Sequence, residues 1–470
     1  MKLQELQGSL TCVIGAGRSG LGAVALLTYY GANVVLSDSK QIAAAPILHK
    51  QGKITLLPFA LPEEAVPAET RLVVTSPGVP RDAKPLLRAQ RLGIPVWSEI
   101  ELAFRAAEAP IAAITGTNGK TTTTLLLAAM LQQAGKHAPA CGNVSADEVR
   151  LTLSEAALMS RQNKLDALVA EVSSFQLEWV RRFAPEAAIL TNITPDHMNR
   201  YRTFEDYAST KARLFAAQKA DQWALFCYDD PAARSLGKNG CTARQLWYSA
   251  ENIPPASGPA AWVEQGKLAV RLEGESPLPL LPVAQLSSSL LGRHSIQNSL
   301  AAASAALIMG VDSAAITEVL TGFAGVAHRM ERVCDVAGRS FYNNSMCTNP
   351  AAAASSLQGM QLPAIVILGG AEKGLDFSPL VPALLHSAPA AVLLGQAAPA
   401  LQAALLAGGY EAVHQVETLE EAVRLAFSLS LPGQAVLLCP ACASFDMFAD
   451  FEERGREFRR IARQLEREQA

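Results

Sequence analysis

The run Gly116-Thr-Asn-Gly-Lys-Thr-Thr122 holds the residue types from which a phosphate site is made. Glycines let backbone N–H groups approach an anion, and those groups sit at the positive end of the helix that follows. Lys120 can reach the terminal phosphates of a nucleotide, and the hydroxyl of Thr121 or Thr122 can ligate Mg²⁺. Gly116 and Gly119 are closer together than G-x-x-x-x-G-K-[ST] requires, so this is an irregular form of that loop. Two further strings extend the chemistry. Glu171 closes an apolar run and opens Glu171-Val-Ser-Ser-Phe-Gln-Leu-Glu178, where a carboxylate beside a phosphate loop is placed to ligate Mg²⁺. His197, next to Asp196 in Asp196-His-Met-Asn-Arg-Tyr201, reads as a ligand or polar contact rather than a core residue. Glu178 reads as a solvated helix residue.

A second glycine run, Gly15-Ala-Gly-Arg-Ser-Gly20, follows an apolar strand and precedes Asp38 by about twenty positions. Alone it points to NAD, but the same glycines serve any pyrophosphate seated on a helix N-terminus. Asp38 could hold a ribose or a base edge, or be an ordinary loop residue. Asn298, at the start of an Ala/Leu helix over 299–309, could contact a base, and Arg329 sits where an arginine could cross between domains to a phosphate. Asn344, Thr348, Lys373 and Ser444 gather at strand ends, a rim suited to a small anionic substrate.

The elements that must position these residues alternate strand and helix, which predicts an α/β chain of parallel sheets. Strands are expected at 10–14, 33–36, 71–75, 94–98, 111–114, 165–170, 187–190, 223–226, 338–342, 363–368, 390–395 and 434–439, with a β-rich insertion over 235–285. The helix over 203–217 carries Lys211, a residue that is normally solvated at such a position. A charged helix over 452–468 reads as a solvated face. At 470 residues the chain allows about three domains, placed at 1–108, 109–326 and 327–470, with a hinge near 106–110. Net charge is −3 without long runs of one sign, so neither nucleic acid nor a membrane surface is an expected partner. No signal-peptide pattern or apolar span of membrane length stands out. The eight cysteines lie scattered in apolar segments, and Cys439-Pro-Ala-Cys442 lacks a second ligand pair, so packing in a reducing cytoplasm is the expectation.

Taken together, these strings resemble the Mur ligases over nearly the whole chain. The Glu-Val-Ser-Ser-Phe-Gln string and Pro440-Ala-Cys-Ala-Ser444 are similar to the branch that adds D-glutamate; His328-Arg-Met-Glu331 and Phe448 also match. The resemblance implies three domains: a Rossmann-like N-terminal one, a central ATPase-like one and a Rossmann-like C-terminal one. It implies an ATP-dependent amide ligase, cytoplasmic and monomeric, that joins D-glutamate to UDP-N-acetylmuramoyl-L-alanine. ATP would be held by Gly116, Thr117, Asn118, Gly119, Lys120, Thr121, Thr122, Asn298, Arg329 and Asn344. Two Mg²⁺ ions would be held by Thr121, Glu171, His197 and Lys211, the last at the position the family carbamylates. Gly17, Arg18, Ser19, Asp38, Ser76, Asn143 and His197 would surround the UDP substrate, so the first glycine run would hold a UDP sugar rather than NAD. Thr348, Lys373, Ser444 and Phe451 would surround the amino acid. Lys120, Glu171, His197 and Lys211 would be the catalytic set.

The chain departs from the family in two places. Asn343-Asn-Ser-Met-Cys-Thr-Asn349 replaces Asn-Asp-Ser-Lys-Ala-Thr-Asn, so Asn344 and Met346 stand where an aspartate and a lysine are usual. Local net charge is unchanged, which suits a compensated swap. Ser295 stands where an asparagine is usual. Three other readings remain open: a ligase for L-glutamate or another amino acid, a non-catalytic ATP-binding relative, and an NAD-dependent dehydrogenase. The last leaves the phosphate loop and Glu171 unexplained.

Overall fold

The computed structural model describes residues 1–40, 54–57, 63–144, 149, 151–198, 200–238, 241–252, 257–290, 292–360 and 362–469. Asn199, which belongs to a string discussed above, and parts of the 235–285 stretch lie outside these residues.

The first sheet contains β1 (Leu10–Ile14), β2 (Asn33–Ser37), β3 (Ile54–Leu57), β4 (Leu72–Thr75) and β5 (Val96–Ser98), all parallel, in the order β3-β2-β1-β4-β5. Cys12, Val13, Ile14, Val73 and Val74 are completely buried, because helices cover both faces of such a sheet and each strand must be apolar on both sides.

The second sheet contains β6 (Ile111–Thr115), β7 (Ala140–Gly142), β8 (Leu168–Glu171), β9 (Ala187–Leu190), β10 (Trp223–Cys227), β11 (Arg244–Ser249), β12 (Ala260–Glu264), β13 (Lys267–Arg271) and β14 (Leu278–Pro282). Their order is β14-β13-β12-β11-β10-β9-β6-β8-β7. Pairings are parallel from β7 to β12, and β12, β13 and β14 form an antiparallel edge that accounts for the β-rich insertion. The strand order reverses around β6, and such a switch point opens a crevice at the carboxyl ends of the strands. The phosphate loop starts there.

The third sheet contains β15 (Glu331–Val336), β16 (Arg339–Asn343), β17 (Ala364–Gly369), β18 (Ala391–Leu394), β19 (Val413–Gln415) and β20 (Ala435–Ala441), ordered β15-β16-β20-β17-β18-β19. Among the described residues only its β15–β16 pair is antiparallel. The first two sheets share one compact unit, Met1–Phe323, and the third forms another, Ala324–Ala470. Among the described residues no helix is long and apolar enough to cross a membrane.

Four expectations need correction. Asn298 is not at a helix start: the helix is Arg293–Ile308, because Gly292 (φ 97°) caps it and the polar residues after it already form its first turn. Glu178 is not solvated: it ends the short helix Ser174–Leu177 pointing inward and is 4 % exposed, its charge met by two arginines. Lys211 is 1 % exposed, since the helix Phe204–Ala212 turns that position toward the phosphate loop. The terminal helix Phe451–Gln469 is amphipathic rather than solvated, burying Arg454, Gly455, Phe458, Ile461, Ala462 and Leu465.

Candidate functional site

The phosphate loop is shaped by what surrounds it. Gly119 (φ 84°) caps the helix Lys120–Gln133, in a conformation that side chains rarely adopt. A Cβ there would stand 2.4 Å from Asn298 Oδ1, and a Cβ on Gly116 would stand 1.8 Å from Thr191 Oγ1. Both glycines are therefore required by close approach as well as by φ. Asn118 N–H donates to Asn192 Oδ1 (2.9 Å), and Thr117 Oγ1 lies 3.1 Å from Tyr207 Oη. Lys120 Nζ donates to Thr117 O (2.9 Å). Of the two candidate hydroxyls, Thr121 is the one that faces a carboxylate: its Oγ1 donates to Glu171 Oε2 at 2.6 Å.

Lys211 Nζ donates to Gly116 O (2.8 Å) and lies 4.8 Å from the centre of the Tyr207 ring. Burial first, and Lys120 second, hold its amine well below the usual lysine range. His197 sits in the left-handed region (φ 56°), uncommon for a residue with a side chain, and its ring centroid lies 4.7 Å from that of Phe175. The ring is half-exposed, and burial together with Lys211, Lys120 and Arg200 lowers its pKa from 6.5 against the opposing pull of Asp196. Asn143 joins the group through its backbone, donating to Glu171 O (2.9 Å). One end of the second sheet thus brings together Lys120, Thr121, Glu171, Lys211, Asn298, Asn143 and the His197 loop.

The first sheet has its own polar turn at the carboxyl end of β1. Ala16 N–H donates to Asp38 Oδ2 (2.6 Å), so Asp38 braces the glycine turn. Ser76 Oγ donates to Gly15 O (2.9 Å), and a Cβ on Gly20 would lie 1.8 Å from that carbonyl. Gly17 and Arg18 are exposed, and Ser19 is half-buried. Behind the turn Glu99, 1 % exposed, accepts from Gln176 Nε2 (2.7 Å), and burial pushes its carboxyl up to about 7.

In the second compact unit the rim residues cluster at the carboxyl ends of β16, β17 and β20. Asn344 is buried: its Nδ2 donates to Ser356 Oγ (3.0 Å) and its Oδ1 accepts from Met330 N–H (3.2 Å). Ser444 is 2 % exposed, Thr348 half-buried and Lys373 exposed, with Lys373 Nζ 5.4 Å from the Phe445 ring centre. The carbonyl of Phe451 accepts from Ser345 Oγ (2.7 Å). Arg329 lies in a short bridge to Val326. Cys439 and Cys442 are buried thiols, which suits packing.

Family models described as the Mur ligase middle domain and the Mur ligase glutamate ligase domain match residues 114–306 and 328–442. The chain is 39 % identical to the UDP-N-acetylmuramoylalanine--D-glutamate ligase of Pelotomaculum thermopropionicum, covering 99 % of this chain and 100 % of that protein. The chain belongs to the Mur ligase family. A relative of the same name from Caldanaerobacter subterraneus subsp. tengcongensis is 37 % identical over 98 % of this chain and all of its own length. In fold, this Mur ligase is similar to the UDP-N-acetylmuramate-alanine ligase of Thermotoga maritima (TM-score 0.58, 19 % identity, covering 97 % of this chain and 99 % of that one). It is also similar to a pseudomurein peptide ligase type C from Methanothermus fervidus (TM-score 0.56, 19 % identity, 97 % and 100 % covered).

Whether this Mur ligase suits a divalent cation can be judged from its donors. Among the described residues no group of three His, Cys, Asp or Glu is placed to hold one. A hydroxyl and a carboxylate 2.6 Å apart beside a phosphate loop do fit a hard cation that takes its remaining ligands from a nucleotide. Several polar residues near the site carry little sequence signal. Glu99, Gln176, Arg81, Arg200 and buried Arg454 matter through partners far away in the chain.

Proposed function

We propose that this Mur ligase adds D-glutamate to UDP-N-acetylmuramoyl-L-alanine at the expense of ATP, in the cytoplasmic synthesis of peptidoglycan precursors. The observation that carries the reading is the junction of Thr121, Glu171 and the buried Lys211 amine at one phosphate loop; the names of full-length relatives supply the substrates. Residues 1–108 would bind the UDP sugar, 109–326 ATP, and 327–470 the amino acid; the protein would act as a monomer.

Forming an amide from a carboxylate is uphill in water, so the carboxylate is first activated. The alanyl carboxylate attacks the γ-phosphorus of ATP, ADP leaves, and an acyl phosphate forms. Lys120 and the loop N–H groups stabilise charge on the transferring phosphoryl. The neutral glutamate amine then attacks the acyl carbon and phosphate departs. Thr121 and Glu171 would hold Mg²⁺, which supplies positive charge beside the phosphates. Lys211 suits carbamylation, since burial shifts its amine toward the neutral form, which is nucleophilic toward CO₂, and the product is an anionic oxygen ligand. His197 would contact metal-bound groups and substrate, while Thr348, Lys373, Ser444 and Phe451 would receive glutamate. Asn298 and Arg329 would contact ATP. Asn344, with both ends of its amide engaged, would support that region from below.

The dehydrogenase reading is weakened by Asp38, whose carboxylate already accepts from Ala16 and Lys40 N–H groups. The test is phosphate release with UDP-N-acetylmuramoyl-L-alanine and a panel led by D- and L-glutamate. Turnover that needs ATP, the UDP substrate and D-glutamate together supports the proposal. A preference for L-glutamate would move the chain to another branch, and release independent of the amino acid would sink the ligase reading.

A further inference from the structure

Arg81 lies just past Ser76-Pro-Gly-Val-Pro80, in the loop between β4 and the helix Lys84–Arg91. Its guanidinium reaches out of the first sheet in three directions. Nη1 meets Asp206 Oδ1 (3.3 Å), Nη2 donates to Thr210 Oγ1 (2.9 Å), and Nε faces Glu178 Oε1 (3.3 Å). Its Cζ lies 5.3 Å from the Tyr201 ring centre. Asp206 and Thr210 belong to the helix that carries Lys211, and Thr210 is the residue next to it.

Arg200 completes the join. Its Nε and Nη2 hold Glu178 in a two-point contact (2.9 and 2.6 Å), and Nη2 also donates to Val79 O (2.8 Å) in the loop of Arg81. Tyr201 Oη donates to Glu178 Oε1 (3.2 Å). A carboxylate with 1 % side-chain exposure, fixed by two guanidinium groups and a phenol, is a rigid node: removing any partner leaves charge poorly compensated in a dry setting. Three segments meet at the node. They are the loop whose Ser76 supports Gly15 O, the loop of His197, and the helix of Lys211.

We infer that Arg81 is a positioning residue that couples occupancy of the first glycine turn to the alignment of the Lys211 helix and the His197 loop. Arg81 makes the sugar-nucleotide half and the phosphoryl-transfer half one register. Arginine is needed rather than lysine, because a single ammonium cannot address Asp206, Thr210 and Glu178 from one plane.

The inference rests on the ligase reading above, and the experiment separates the two. Steady-state kinetics with UDP-N-acetylmuramoyl-L-alanine, ATP and D-glutamate are compared for wild type, Arg81→Ala, Arg81→Lys and Thr210→Val, alongside melting temperatures. In Arg81→Ala, KM for the UDP substrate is expected to rise about tenfold and kcat to fall, as loss of charge-assisted hydrogen bonds would produce, while KM for ATP stays within about twofold. Arg81→Lys is expected not to recover, and Thr210→Val, which removes one contact and keeps the volume, should move the same KM by a smaller factor. A lower melting temperature with an unchanged KM for the UDP substrate would mean a structural role alone and overturn the inference. Full recovery in Arg81→Lys would also overturn it. A wild-type enzyme that shows no such turnover would overturn the ligase reading and this coupling with it.

Discussion

Lys120, Glu171 and Lys211 show how little residue type says without surroundings. Lys120 could be assigned from its loop, whereas Lys211 is one lysine on a mixed helix until the fold turns it inward against Gly116 O. Lys120→Ala is expected to lower turnover by about a thousandfold or more, the scale of losing a donor to developing phosphoryl charge; activity near wild type would remove the loop from the chemistry. Burial holds the Lys211 amine below its ordinary range, which favours the neutral form that reacts with CO₂. With ¹³C-bicarbonate a carbamate carbon signal should appear in NMR of the wild type and be missing in Lys211→Arg. A spectrum without that signal at saturating bicarbonate would reject the modification.

Elements decide where such groups meet. The strand β8 ends on Glu171, and the helix Lys120–Gln133 begins beside it, so parallel pairing of β6 with β8 brings hydroxyl and carboxylate to 2.6 Å. Between β5 and the short helix Ser174–Leu177, Glu99 holds Gln176 from a buried site, and among the described residues its Oε2 has no hydrogen-bond partner. Its pKa rises from 4.5 to about 7 on folding, so the folded state binds the extra proton between those values. Its contribution to stability is therefore full below about pH 4.5 and declines as pH rises through about 7. Glu99→Gln should stabilise the protein at pH 8 by on the order of 2 kcal/mol and by far less at pH 5. Melting curves at the two pH values check this, and an equal effect at both would show that folding does not raise the Glu99 pKa. In the first glycine turn, Gly20→Ala should weaken UDP-substrate binding and lower the melting temperature, because the new methyl would press on Gly15 O, 1.8 Å away. A variant with the wild-type melting temperature would show that the turn relaxes freely.

At the scale of the molecule, the sites proposed for a sugar nucleotide, ATP and an amino acid would lie at the polar carboxyl ends of three separate sheets. The strand–turn–helix signals at β1 and β6 were legible because each is local: an apolar run, glycines and a helix within about twenty residues. The β character of the edge β12–β14 was legible but its register was not, nor was the added strand β15, since short alternating runs acquire a partner only when the sheet is assembled. Removing the first sheet should expose apolar surface, because its helices share a buried cluster with the second sheet. A chain beginning near residue 109 is accordingly expected to aggregate, as light scattering would reveal; a monodisperse fragment would mean the second sheet folds alone.

By itself the sequence determined the α/β class, the phosphate loop, the carboxylate beside it and the family resemblance, because these rest on contiguous residue patterns. Tertiary structure alone decided that Glu178 is buried among arginines, that Lys211 faces Gly116, and that Arg81 spans two sheets. The physical reason is distance along the chain. Burial and charge pairing join groups far apart in the chain, as Arg81 and Asp206 are at 125 residues, and no local pattern records which of many similar arginines will find the buried acid.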